Sequence, residues 1–222
     1  MRAPNPAEAA RDLVFGRVKL CGVRTADDIG AARAATFAGF VFVPGTPRDL
    51  TGQEVAPLAD LARRHGVLPV GVFRNAPVAT VGDMGTALGL HAVQLHGNED
   101  DKYVRELRAT LPESCEIWTA ISAARRPSAQ RSGDRLLFDN GDGGTGRTFD
   151  WDHVRGHPEL ANALVAGGIG PGNARAAMAL GAYAIDVGSE VDTTPGVKSP
   201  DKIRSLFEAL RQPCREGLRA CA

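Results

Sequence analysis

Short runs of apolar, mostly β-branched residues recur along the chain. Each is followed by a polar or glycine-rich turn and then by an Ala/Leu-rich amphipathic stretch. The runs are Val18 to Cys21, Gly39 to Val43, Leu68 to Phe73, Ala92 to Leu95, Glu116 to Ile121, Arg135 to Asp139, Ala163 to Ala166 and Ala184 to Val187. Their spacing is that of one strand plus one crossover helix, which predicts a parallel α/β protein. Helix starts carry the caps this requires. Thr25 leads Ala26-Asp27-Asp28, placing a hydroxyl and then carboxylates where unpaired backbone N–H groups point outward. Thr51 with Glu54 has capping-box spacing ahead of a stretch to Arg64. Gly170-Pro171 is expected to open a helix running to Leu180, ended by Gly181. Between Ser122 and Gly133 the sequence is poor helix material, so the fifth crossover should be short or irregular.

Repeated β/α units fit either a closed (β/α)8 TIM barrel or an open doubly wound sheet. An open sheet that binds a nucleotide should show a glycine fingerprint after its first strand, and here that position reads Cys21-Gly22-Val23-Arg24. The suggestive glycines come late, after the last three strands, where barrels commonly hold phosphate. The expected fold is therefore a single α/β (β/α)8 barrel over residues 18–211. Residues 1–17 form an N-terminal extension and 212–222 a mobile tail.

Composition narrows the function. The chain has 222 residues with 43% hydrophobic and 23% charged, the profile of a globular domain with a well-buried core. Its 26 basic and 26 acidic side chains cancel, which argues against a nucleic-acid or anionic-membrane partner. No apolar stretch approaches the roughly 20 residues of a spanning helix, and the first fifteen residues carry Arg2, Glu8, Arg11 and Asp12 without a signal-peptide core. Cys21, Cys115, Cys214 and Cys221 have neither zinc-site nor disulfide-framework spacing. A cytoplasmic protein follows from these features, while its oligomeric state, for which a monomer is one option, has no signal in the sequence.

In a barrel, residues at the C-terminal ends of strands share one mouth. Those positions hold Cys21, Phe73, His96, Asp139, Gly167-Gly168 and Gly188-Ser189. Cys21 reads equally as a small buried hydrophobe or as a pocket thiol. Asp139 interrupts the apolar run Leu136-Leu137-Phe138 where strand meets loop, and so reads as a functional carboxylate more than a turn former. The following Asn140-Gly141-Asp142-Gly143-Gly144-Thr145-Gly146 lacks the Gly-Lys-Ser/Thr ending of a nucleotide loop and reads as a surface loop or a lid. Ala166-Gly167-Gly168-Ile169 and Asp186-Val187-Gly188-Ser189 put backbone N–H groups, unobstructed by side chains, where a phosphomonoester would sit, with a short helix N-terminus near Val191. Arg48, between the prolines and the mouth, is either a surface arginine or a fork for a substrate carboxylate. His96 is either a pocket residue or a hydrogen-bonded structural histidine.

Together these segments resemble phosphoribosylanthranilate isomerase, the (β/α)8 enzyme of tryptophan biosynthesis. The carriers are Val18-Lys19-Leu20-Cys21-Gly22, Gly39-Phe40-Val41-Phe42 leading to Pro47-Arg48, Val70-Gly71-Val72-Phe73, Ala92-Val93-Gln94-Leu95-His96-Gly97, Asp139 with Gly143-Gly144-Thr145-Gly146, Ala166-Gly167-Gly168-Ile169, and Pro195-Gly196-Val197-Lys198. Asn98-Glu99, Phe73-Arg74-Asn75 and Asp139-Asn140-Gly141 look most like the isomerase half of proteins fused to indole-glycerol-phosphate synthase. Residues 9–16 are similar to a former linker, which implies descent from a split fusion. Three positions depart from the family pattern: Glu190 adds a carboxylate near the phosphate loop, Ser199 replaces an aspartate, and Ala34-Ala35-Thr36 replaces Gly-Ala-Asp.

The resemblance implies an Amadori rearrangement of a phosphosugar, which is redox neutral and needs neither cofactor nor metal. It implies Asp139 as general acid and Cys21 as general base, Arg48 on the anthranilate carboxylate, and His96, Gly167, Gly168, Asp186, Gly188 and Ser189 around the rest of the substrate. Asp139 must then hold a proton, which burial favours, and Cys21 must become thiolate. Two other readings stay open: a dual isomerase that also serves histidine biosynthesis, and a non-catalytic phosphosugar-binding barrel. Cys21 in place of aspartate, and the lack of a mirrored Gly-Gly pair near Val72, argue against the first.

Overall fold

A computed structural model describes residues 11–12, 14–127, 132–141 and 149–211. Eight parallel strands close into a barrel in sequence order: β1 Val18–Cys21, β2 Phe37–Phe42, β3 Leu68–Phe73, β4 Ala92–Leu95, β5 Glu116–Ser122, β6 Arg135–Asp139, β7 Leu164–Val165 and β8 Ala184–Val187, with β8 pairing β1. The helices are α1 Ala26–Ala31, α2 Gly52–Arg64, α3 Val78–Ala87, α4 Asp101–Arg108, α5 Ala174–Met178 and α6 Pro200–Arg211. A short antiparallel ribbon, β9 Asp192–Thr194 and β10 Val197–Lys198, follows β8.

Period-two alternation splits the core in two. Phe37, Val70, Ala92, Trp118, Leu137, Leu164 and Ala184 fill the barrel, while Leu20, Ile29, Phe40, Val55, Ile117, Phe138 and Ile185 lie between sheet and helices. The interior closes at its N-terminal end with a charged plug. Arg135 Nε lies 2.8 Å from Glu116, Trp118 Nε1 donates to the same carboxylate at 2.7 Å, and the Arg135 guanidinium stacks 3.4 Å from the Tyr183 ring centre. Burial raises the Glu116 carboxyl, but Arg135 and the indole N–H outweigh it and hold the group below its usual range. Charged and aromatic side chains thus fill that end of the barrel.

The caps at α1 and α2 form as the sequence requires: Thr25 accepts from Asp28 N and Thr51 from Glu54 N, each answered by the carboxylate. Three expectations need correction. The helix opened by Gly170-Pro171 starts only at Ala174, because Asn173 folds back, accepting from Gly170 N and donating to Gly168 O, and so spends the first residues on a turn. The seventh strand shrinks to Leu164–Val165, since Gly167 and Gly168 turn away at φ +83° and +59°. β2 begins at Phe37, ahead of the expected Gly39. Residues 123–127 hold no helix, in line with an irregular fifth crossover. The loop 142–148, the extension 1–10 and the tail 212–222 lie outside the described residues. No helix among those described is long and apolar enough to cross a membrane.

Candidate active site

At the C-terminal mouth of the barrel lies an open cleft, with about 950 Å³ of free space when the solvent at its mouth is included, lined by Cys21, Arg48, His96, Asp139, Gly167, Gly168, Asp186, Gly188 and Ser189. The thiol of β1, the carboxylate of β6 and the other residues named here, all singled out in the sequence, therefore border one pocket; Phe73, also expected at the mouth, instead stacks on Phe42 in the layer between sheet and helices. These two come together because inward-facing positions on parallel strands converge whatever their separation along the chain.

Cys21 stands over a buried ion pair that the sequence reading missed. Lys19, two positions earlier on the same face of β1 and fully buried, reaches both carboxylate oxygens of Asp186 on β8, at 2.9 and 3.0 Å. Burial disfavours the Lys19 ammonium, but Asp186 overrides this and its affinity for a proton is raised. Burial pushes the Cys21 thiol up, opposed but not cancelled by the Lys19 charge.

Asp139 is governed by its neighbour on the fourth loop. His96 Nε2 lies 3.1 Å from Asp139 Oδ2, and His96 Nδ1 lies 2.9 Å from Gln94 Nε2. Burial raises the Asp139 carboxyl. The His96 hydrogen bond and charge, the Asn140 N–H and Lys19 together outweigh burial and hold it below the usual carboxylate range. Burial thus favours a proton on Asp139 as expected, but in the free protein the contact with His96 outweighs it. Near neutral pH these directions favour the thiol form of Cys21 and the ionised form of Asp139 in the free protein.

Arg48 is held as well as presented. Its Nη2 lies 2.6 Å from Asp192 Oδ2, and its Nε is buried without a hydrogen-bond partner among the described residues. The stem crosses Gly22, whose φ of +79° and missing side chain are both needed, because a Cβ there would lie 2.5 Å from Arg48 Cδ. Asp192 also accepts from Lys198 Nζ at 2.6 Å and Gly196 N at 3.1 Å, and Lys198 Nζ donates to Gly188 O at 2.9 Å. One buried carboxylate thereby ties the arginine loop to the Gly188 loop. Farther round the mouth, Glu99 accepts from Asn75 N and Gly97 N, fixing the third and fourth loops to each other beside His96.

The departures from the family pattern have local accounts. Glu190 lines the cavity but is exposed, with its stem against Gly170. Ser199 Oγ accepts from Lys202 N, keeping the cap of α6 that an aspartate would supply, with Pro200 in the first helical position. Thr36 Oγ1 donates to Asp12, so that change brings a new polar tether as well as altered packing. Lys19, Gln94 and Asp192 escaped the sequence reading for different reasons. Lys19 and Gln94 could have been found by counting two residues back from Cys21 and His96, which returns to the inward face. Asp192 has no such signal, because its role depends on a turn brought against a distant loop.

Comparison with known proteins agrees with this geometry. Residues 18–209 match the family described as N-(5'phosphoribosyl)anthranilate (PRA) isomerase. The tryptophan biosynthesis protein TrpCF of Yersinia pestis is 38% identical over 215 residues, covering 95% of this chain and 44% of that protein. The chain thus spans about half the length of the curated relatives it matches. A phosphoribosyl anthranilate isomerase from Thermus thermophilus is 30% identical with a TM-score of 0.76, covering 87% of this chain and 98% of that one. Another, crystallised with reduced 1-(o-carboxyphenylamino)-1-deoxyribulose 5-phosphate, is 25% identical with a TM-score of 0.71 over 88% of this chain and 98% of its own. By sequence, fold and the residues gathered at the barrel mouth, the chain belongs to the phosphoribosylanthranilate isomerase family of tryptophan biosynthesis.

Proposed function

We propose that this chain converts N-(5-phosphoribosyl)anthranilate into 1-(2-carboxyphenylamino)-1-deoxyribulose 5-phosphate by acid-base catalysis. The observation that carries the reading is the placement of Cys21 and Asp139 on one cavity between the glycine loops and Arg48. In the first step the Asp139–His96 pair gives a proton to the ribose ring oxygen, and the ring opens to an iminium ion. In the second, Cys21 Sγ takes the proton from carbon 2, leaving an enolamine that tautomerises to the ketone. Carbon 1 is reduced as carbon 2 is oxidised, so no external electron acceptor is needed.

The free protein holds the proton on sulfur and the charge on carboxylate, the reverse of what the steps require. The protons balance when the thiol gives its proton to solvent and the Asp139–His96 pair takes one up, and substrate supplies part of the drive for that exchange. A cationic iminium beside Cys21 favours thiolate, and excluding water strengthens that attraction. The two groups each contribute about 10² to 10⁴ in rate in chemistry of this kind. The Gly167-Gly168 and Gly188-Ser189 backbones would hold the phosphate by oriented N–H dipoles, and the unpartnered face of Arg48 would take the anthranilate carboxylate. Asp186, held by Lys19, would border the sugar from below. The test is loss of substrate fluorescence on adding the purified chain. Binding of a reduced product analogue without any turnover would replace this reading with that of a non-catalytic barrel.

A further inference from the structure

Gln94 has no part in the steps above, yet its position is unusual. It faces the barrel interior, 1% exposed, with Nε2 2.9 Å from His96 Nδ1 and Oε1 buried without a hydrogen-bond partner among the described residues. A primary amide offers donors at one end and an acceptor at the other, and turning it by 180° exchanges them with almost no change in heavy-atom position. With nitrogen towards the ring, Gln94 donates to Nδ1, so the ring hydrogen sits on Nε2 and is donated to an ionised Asp139. With oxygen towards the ring, Nδ1 must carry hydrogen. The Nε2···Oδ2 contact of 3.1 Å can then hold one further proton, either on the ring or on the carboxyl. The first arrangement stores one proton on the His96–Asp139 pair and the second stores two, the extra one taken from solvent.

We infer that Gln94 is a positioning residue whose amide orientation gates the loading of the acid proton onto the His96–Asp139 pair. The inference deepens the isomerase reading and rests on it for its catalytic meaning, although the tautomer it concerns is a property of the free protein. The charged groups facing the pair are Lys19 and Cys21 on β1, Arg48 and Arg74 on the second and third loops, Asp186 on β8 and Glu190 beyond it. On the Nδ1 side the partner of the ring is Gln94.

The test combines ¹⁵N NMR of the histidine rings with the pH profile of kcat/KM, in Gln94→Glu and Gln94→Leu. Glutamate presents only acceptors once ionised, so His96 should carry hydrogen on Nδ1, and the alkaline limb of the profile should move up by about one pH unit, a tenfold change in proton affinity. Leucine offers no acceptor, so in that variant the second proton should leave earlier, moving the limb down, with KM changed less than kcat. A glutamine that merely fills space would alter stability or KM in these variants but leave the limb and the ring tautomer in place. That result, in either folded variant, overturns the inference. Should wild type fail to isomerise its substrate while the His96 tautomer still follows residue 94, the gating stands and the isomerase reading falls.

Discussion

Replacing Asp192 by alanine isolates the part of the site that sequence could not foretell. The carboxylate is 4% exposed and accepts from Arg48, Lys198 and the Gly196 N–H. Its removal strands two cations of unequal accessibility. The Arg48 side chain is 14% exposed and can recruit water, but Lys198 is 1% exposed and keeps only its bond to Gly188 O. Breaking a buried pair by deleting one partner costs about 3–5 kcal/mol, because the remaining charge stays desolvated. For a chain of this size each kcal/mol lowers Tm by roughly 2–4 °C, so the loss should be roughly 6–20 °C. Asp192→Asn keeps an acceptor for Gly196 N and should fall by about half as much. Circular dichroism melting measures the stability, and steady-state kinetics on the same preparations should show KM rising more than kcat falls, since the loosened group is the Arg48 clamp. A Tm within about 2 °C of wild type for Asp192→Ala, less than 1 kcal/mol by the same conversion, would refute the view that this carboxylate is a buried keystone.

Three further outcomes follow from the geometry. Arg48→Ala should raise KM about tenfold or more with a smaller effect on kcat, and an unchanged KM would place the guanidinium outside the substrate's reach. Glu190→Gln should lower KM by about fivefold, the equivalent of ~1 kcal/mol of relieved repulsion at an exposed site; no change would mean that its carboxylate is turned from the phosphate. Burial, with Glu99's charge, pushes Tyr103 up to about 12, and burial also raises Tyr183. Both groups favour the folded state fully below the ordinary phenol value, and that contribution is lost as pH rises through each group's raised value, about 12 for Tyr103. Absorbance at 295 nm should therefore show little tyrosinate at pH 10.5 until the protein unfolds, and a titration centred near 10 in folded protein would contradict the burial.

Most of the barrel was readable because its signal is local. Each strand is a short apolar run, and Thr25 and Thr51 announce their helices with hydroxyls at the right offset. Where the reading failed, the cause was a contact across the chain or a competing turn. Asn173 reaches back to Gly168 and Gly170 and delays α5, and β2 starts at Phe37 because that ring is wanted inside the barrel, edge-on to Trp118 at 5.1 Å. The candidate site was legible as a set of strand-end residues but not as a charge pattern. Burial alone gives the wrong direction for Asp139, since the decisive partner, His96, lies on another loop. The same holds for Lys19, whose burial is tolerable only because Asp186, far along the chain, arrives opposite it.

The account rests on a thiol and a carboxylate serving one sugar from two strands. Its most direct test is turnover of anthranilate-ribose phosphate, followed by fluorescence, in wild type, Cys21→Ser and Asp139→Asn whose folded spectra match. The prediction is rapid loss of substrate signal in wild type and a kcat lower by about 10² or more in each variant. Near-normal turnover in either variant would contradict it.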